Sequence, residues 1–173
     1  MNLWNRDELR RLLTELGQLL DRQGITGELY VVGGAAIALA YDGRRATRDV
    51  DAVFEPKAVV YSAARQVAER HGLPPDWLND AVKGLVPPHD ADARPVLDVP
   101  GLRVAVASPR FLLAMKVAAA RVDRDGGDIV FLARLCEADT AEKVLDLVET
   151  VWRGTPLPAK SQFLVESLFP RPS

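Results

Sequence analysis

The sequence predicts an α/β (α+β) protein: strands and helices alternate through the N-terminal half, and helices dominate the C-terminal half. Three observations carry this. Leu9, Leu12, Leu13, Leu16, Leu19 and Leu20 repeat at helical spacing. Short extended runs at Glu28–Val32, Asp49–Phe54 and Leu102–Ala107 are separated by helical stretches. From Pro109 onward, apolar residues recur at helical spacing until Gly154-Thr155-Pro156 breaks the pattern. No linker separates independent domains. Residues 1–108 are therefore read as the core and 109–173 as a helical part packed on it, in one compact unit.

Composition narrows the classes. A chain of 173 residues can bury a real core. Its 22 Lys and Arg against 24 Asp and Glu give a net charge of -2, which argues against a uniformly basic nucleic-acid binder but allows a local basic patch. The one cysteine, Cys136, permits no internal disulfide and fits a reducing compartment; its apolar helical context reads as buried filler. The opening MNLWNRDELR is charged too early for a signal peptide, and the longest apolar run is too short and interrupted to span a bilayer. The expected location is the cytoplasm.

Taken in order, Asn5 and Glu8 form a capping box opening the first helix, which Gly24 closes. The strand from Glu28 reaches the pair Gly33-Gly34, followed by helix-forming Ala35 to Tyr41 and a stop at Gly43. Arg44, Arg45, Thr47 and Arg48 fill a basic loop. The next strand opens Asp49-Val50-Asp51. Side chains alternate along a strand, so Asp49 and Asp51 share one face while Val50, Ala52 and Phe54 point into a core. Two neighbouring carboxylates repel unless a cation lies between them, and Mg²⁺ suits one or two carboxylates plus substrate phosphates. The glycine pair lets backbone approach an anion at a helix start. Each half alone is common, as a strand–helix turn or a solvated strand edge; the ordered combination is specific.

Pro56 opens a helix that His71-Gly72 closes, with His71 read as structural. In the tract Asp76-Trp77-Leu78-Asn79-Asp80, Asp76 is placed to cap a short helix carrying Trp77 and Leu78; no chemistry attaches to the tract. Pro87 to Pro100 reads as a proline-rich acidic connector with a surface-loop tip, where His89, Asp90 and Asp92 lack further ligands at metal spacing. Ser108-Pro109 starts a helix that carries Phe111, Leu112, Lys116 and Arg121. Asp125 and Asp128, three apart at a helix start, can share a face; alone they read as an N-cap and a surface ion pair. Thr140 caps a further helix, and the tail to Phe169 is amphipathic through Phe163, Leu164, Leu168 and Phe169, either closing the core or offering a partner surface.

The glycine pair, short helix and Asp-x-Asp strand resemble the signature of the DNA polymerase β-like nucleotidyltransferase superfamily, at Gly33, Gly34, Asp49 and Asp51. Lys116, Arg121, Arg124, Asp125 and Asp128 resemble the C-terminal motifs of its AbiEii-like toxin branch, although the lysine-to-Arg-Asp spacing is short. The resemblance runs through residues 28 to 135 and implies a nucleotidyltransferase fold, a small mixed sheet flanked by helices. It implies Asp49 and Asp51 as Mg²⁺ ligands, and Gly33, Gly34, Thr47, Arg48 and Lys116 as contacts to the NTP phosphates. Asp125 or Asp128 would be an essential acid, with Asp128 placed to accept the acceptor's proton. The superfamily often adds a third carboxylate on a neighbouring strand, for which Asp98 is the candidate. Branch members are toxins of toxin–antitoxin pairs, some adding nucleotides to tRNA 3′ ends. An RNA (tRNA) acceptor and an antitoxin protein partner are therefore expected, and Arg44, Arg45, Arg48, Arg110, Lys116, Arg121 and Arg124 lie beside the expected site in sequence. Alternatives are transfer to a protein or small-molecule hydroxyl, or a catalytically silent nucleotide-binding or interaction protein.

Overall fold

A computed structural model gives the fold, described over residues 3–80 and 89–169. The chain divides into two compact units, Met1–Val86 with Asp92–Ala107, and Pro87–Ala91 with Ser108–Ser173. Within the described residues of the first unit, five strands form one mixed sheet in the order β3-β2-β1-β5-β4: β1 (Gly27–Val32), β2 (Val50–Glu55), β3 (Leu78–Asn79), β4 (Arg94–Val99) and β5 (Leu102–Val106). β1 pairs antiparallel with β2 and parallel with β5, β2 runs parallel to β3, and β4 pairs antiparallel with β5.

Alternation gives the sheet two unlike faces. Leu29, Val31, Val50, Ala52, Phe54, Leu102, Val104 and Val106 are buried. Helix α1 (Arg6–Asp21), whose six expected leucines are all buried, packs with α3 (Lys57–His71) against this face. Asn5 caps α1 through Asp7 and Glu8 backbone N–H groups, and Glu8 returns the bond, as the sequence predicts. Glu28, Tyr30, Asp51, Val53, Glu55 and Arg103 lie on the other face, which is more accessible. Its far part is a groove of about 480 Å³ that includes Glu28, Glu55, Asp98 and Arg103.

Two expectations are corrected. The acidic connector is not all loop, because Arg94–Val99 is the edge strand β4. Its Pro95 is tolerated there because an edge strand need not donate every N–H, and the register shifts between Pro95 and Leu97. The opening prolines Pro87 and Pro88 lie outside the described residues. Trp77 and Leu78 sit on no helix: Leu78 pairs with Val50 in β3, and Trp77, fully buried, gives its indole N–H to the Ala64 carbonyl at 2.9 Å.

The second unit is helical. α4 (Pro109–Ala119) packs with α5 (Val122–Leu135), α6 (Ala141–Trp152) and α7 (Ala159–Leu168). Ser108 and Thr140 cap α4 and α6 as expected. Asp90 accepts the Ser108 backbone N–H at 2.8 Å, which gives it a capping use. Arg121 is not on α4, because Ala120 turns left-handed (φ 45°) and Arg121 precedes α5. Asp125 lies inside α5, not at its cap. In the tail Leu164 is buried, while Phe163 is 70% exposed. No helix of the described residues is long and apolar enough to cross a membrane.

Candidate active site

The end of β1 makes the site. After Val32 the chain turns through Gly33, whose φ of +65° favours a residue without a side chain. It then enters α2 (Gly33–Ala36), which widens into a π-helical turn over Ile37–Tyr41. β2 returns beside β1 with Asp51 opposite Val32. A Cβ on Gly33 would stand 3.4 Å from Asp51 Oδ2, and one on Gly34 would stand 3.3 Å from Thr47 Oγ1. The sheet register and the bend thus bring Gly33, Gly34, Thr47 and Asp51 to one corner.

Asp49 joins through Thr47, whose hydroxyl donates to the Asp49 carbonyl at 3.1 Å and lies 3.4 Å from its Oδ1. Thr47 is itself fixed by a backbone bridge to Trp4, with N···O distances of 2.7 and 3.0 Å. That clamp has no local sequence signal, since its partners are 43 positions apart. The strand expected to open at Asp49 begins at Val50, so Asp49 lies just outside β2 and is exposed; within β2, Val50 is fully buried and Asp51 half-buried, as alternation requires. In the connecting loop Arg44 and Arg48 are exposed. Asp42 holds Arg44 and Arg45 at 3.3 and 3.5 Å; the Arg44 backbone N–H, and then its guanidinium, keep the Asp42 carboxyl below its ordinary range.

The donor set suits a hard cation. Asp51 stands on β2 and Asp49 just before it, and backbone without side chains approaches Asp51. Among the described residues no group of three or more His, Cys, Asp or Glu side chains is gathered to hold a metal. Asp98 is not the third carboxylate. It pairs in register with Arg103, Arg103 with Glu28, and Glu28 with Glu55, which is four residues along β2 from Asp51. Three strand spacings across and four residues along amount to roughly 19 Å. Asp98 is on a strand of the sheet, but an edge strand whose register carries it to the sheet's far corner, where it faces Arg103 at 3.9 Å.

In the second unit Lys116, Asp125 and Asp128 form one cluster. The ammonium lies 2.8 Å from Asp125 Oδ1 and 2.9 Å from Asp128 Oδ2. Asp125 is buried, and the side chains of Lys116 and Asp128 are 19% and 17% exposed. Burial alone would lower the Lys116 pKa, but its bonds to Asp125 and Asp128 outweigh this and raise it above the ordinary value. Nothing here is the loose surface ion pair that the residues alone suggested.

Comparison with known proteins adds a family. The model of a family described as "Nucleotidyltransferase of unknown function (DUF6036)" matches residues 7–148. A crystal structure of an antigenic nucleotidyltransferase-like protein from Paracoccidioides brasiliensis is similar, at 18% identity over 94% of this chain and 95% of that chain, with a TM-score of 0.48. Comparison with curated proteins gives no match.

Proposed function

The chain belongs to the family of nucleotidyltransferases of unknown function DUF6036, and from that premise we propose that it transfers a nucleotidyl group from a Mg²⁺-bound NTP to an acceptor hydroxyl. The observation that carries this reading is the approach of Asp51 Oδ2 to the Gly33 bend. Asp49 and Asp51 would hold the ion, which supplies charge neutralisation on the triphosphate when bound. Gly33 and Gly34 offer backbone N–H groups at a helix start. The Thr47 hydroxyl lies beside Gly34 and would turn from the Asp49 carbonyl to meet a phosphate, and the exposed Arg48, next in the chain, would add a second donor. The acceptor oxygen would bond to the α-phosphorus as pyrophosphate leaves, so the residues' work is positioning and charge compensation.

In the second unit we keep Lys116 as a phosphate-binding cation and Asp125 or Asp128 as the essential acid, Asp128 as proton acceptor. The support for an acid there is that two carboxylates converge on one ammonium at 2.8 and 2.9 Å; phosphate binding by Lys116 rests on the resemblance, and would require the ammonium to be shared with those carboxylates.

For the acceptor, the AbiEii-like resemblance favours an RNA 3′ end and a toxin held in check by an antitoxin. Its local support is that Arg44 and Arg48 are exposed in the loop that leads to Asp49. One observation favours a second reading. The groove on the same sheet face is lined by Glu28, Glu55 and Asp98 against Arg103, so it suits a cationic small molecule better than a polyanion. Incubation with each labelled NTP, Mg²⁺ and total tRNA, resolved on a denaturing gel, tests the first reading; a parallel screen of hydroxylated cationic compounds and of proteins tests the alternatives. Label on tRNA supports the toxin reading, label on a small molecule favours the groove, and no label on any acceptor with any NTP contradicts nucleotidyl transfer.

A further inference from the structure

We propose that Asn79 completes the cation site, giving its carboxamide oxygen as a third, neutral protein oxygen beside Asp49 and Asp51. The inference rests on the reading of that corner as a Mg²⁺·NTP site.

The tract Asp76-Trp77-Leu78-Asn79-Asp80 is short and anchored on every side of Asn79. Trp77 is fully buried, gives its N–H to Ala64, and meets the Trp4 ring edge-on at 6.2 Å. Leu78 is fully buried and pairs with Val50. Asp80 accepts the Tyr61 hydroxyl at 2.7 Å and the Lys57 ammonium at 3.2 Å. These side chains hold the tract in place, and the Asn79 side chain is not part of that core.

Pairing then decides where Asn79 stands. β3 runs parallel to β2 with Asn79 level with Asp51, and both are half-buried where Leu78 and Val50, on the opposite face, are fully buried. Register partners on neighbouring strands lie about 4.8 Å apart, so the carboxamide and the carboxylate are neighbours on the accessible face. Asn79 Nδ2 donates to the Asp76 carbonyl at 3.4 Å, which turns the oxygen end of the amide away from that carbonyl. An amide oxygen is an accepted ligand for hard divalent cations. Being neutral, it adds coordination without adding to the repulsion between two carboxylates already side by side.

The test is Mn²⁺ affinity by EPR titration of the full chain with α,β-methylene-ATP, alongside thermal melting. Asn79→Ala is expected to bind Mn²⁺ about 10-fold more weakly. Its melting temperature should fall only slightly, by what the hydrogen bond to the Asp76 carbonyl contributes. Asn79→Asp, which keeps an oxygen at that position, should bind at least as well as wild type. If Asn79→Ala keeps wild-type affinity while Asp51→Asn loses it, the Asn79 proposal is overturned and the Asp51 reading stands. If Asp51→Asn binds Mn²⁺ as wild type does, the underlying reading fails and the proposal with it. If Asn79→Asp loses binding together with Asn79→Ala, Asn79 is merely structural and the proposal is again overturned.

Discussion

Asp51 Oδ2 lies against the bend at Gly33, 3.4 Å from where a β-carbon on that glycine would stand. The contact follows from pairing: Asp51 is opposite Val32, the residue before the bend, and the backbone at Gly33 takes a left-handed conformation. A carboxylate and a glycine turn are thereby held at one distance by a sheet, not by a loop.

Gly33→Ala should cost stability through the left-handed backbone, about 1–2 kcal/mol. The added methyl also enters the space between bend and carboxylate, so Mg²⁺-dependent NTP affinity should fall more than that stability loss alone explains. Chemical denaturation and nucleotide titration on the same variant check both.

Asp98→Ala should leave metal and nucleotide binding unchanged. The residue belongs to the far corner of the sheet, and its ion pair with Arg103 is largely exposed at both ends, 65% and 81%. Stability should change by no more than about 0.5 kcal/mol. A loss of Mn²⁺ binding in this variant would return Asp98 to the metal site against the register described here.

Lys116→Met should destabilise the protein by about 3–5 kcal/mol, because Asp125 and Asp128 would be left without their cation in a largely buried place. The alkaline limb carries the sign. A lysine whose pKa is raised in the folded state stabilises fully below its ordinary value of about 10.5, and that contribution is lost as pH rises through the folded value. On the alkaline side the stability gap between wild type and Lys116→Met should thus hold until pH passes the ordinary lysine value and narrow above it, as read from denaturation at stepped pH.

How much of this was legible in the sequence depends on the range of the interaction. The Asn5 capping box, the leucine face of α1, the helix starts at Ser108 and Thr140, and the alternation from Val50 to Phe54 are local, and residue spacing reveals them. The Lys116–Asp125–Asp128 grouping was legible through its pattern, though not that its members bind one another. What failed was set by pairing over distance. β4 forms because β5 offers an edge to a proline-bearing segment, and that pairing removes Asp98 from the site. Trp77 leaves its expected helix because α3 provides a carbonyl and a cavity for an indole. Asn79 gains its place beside Asp51, and Thr47 its clamp to Trp4, from partners 28 and 43 positions away.

The most direct measurement is nucleotide binding by wild type and Asp51→Asn with and without Mg²⁺. The wild type should bind NTP tightly only with Mg²⁺, and Asp51→Asn should lose that dependence. Binding that neither Mg²⁺ nor the substitution alters would contradict a triphosphate held between the Gly33 bend and the paired aspartates.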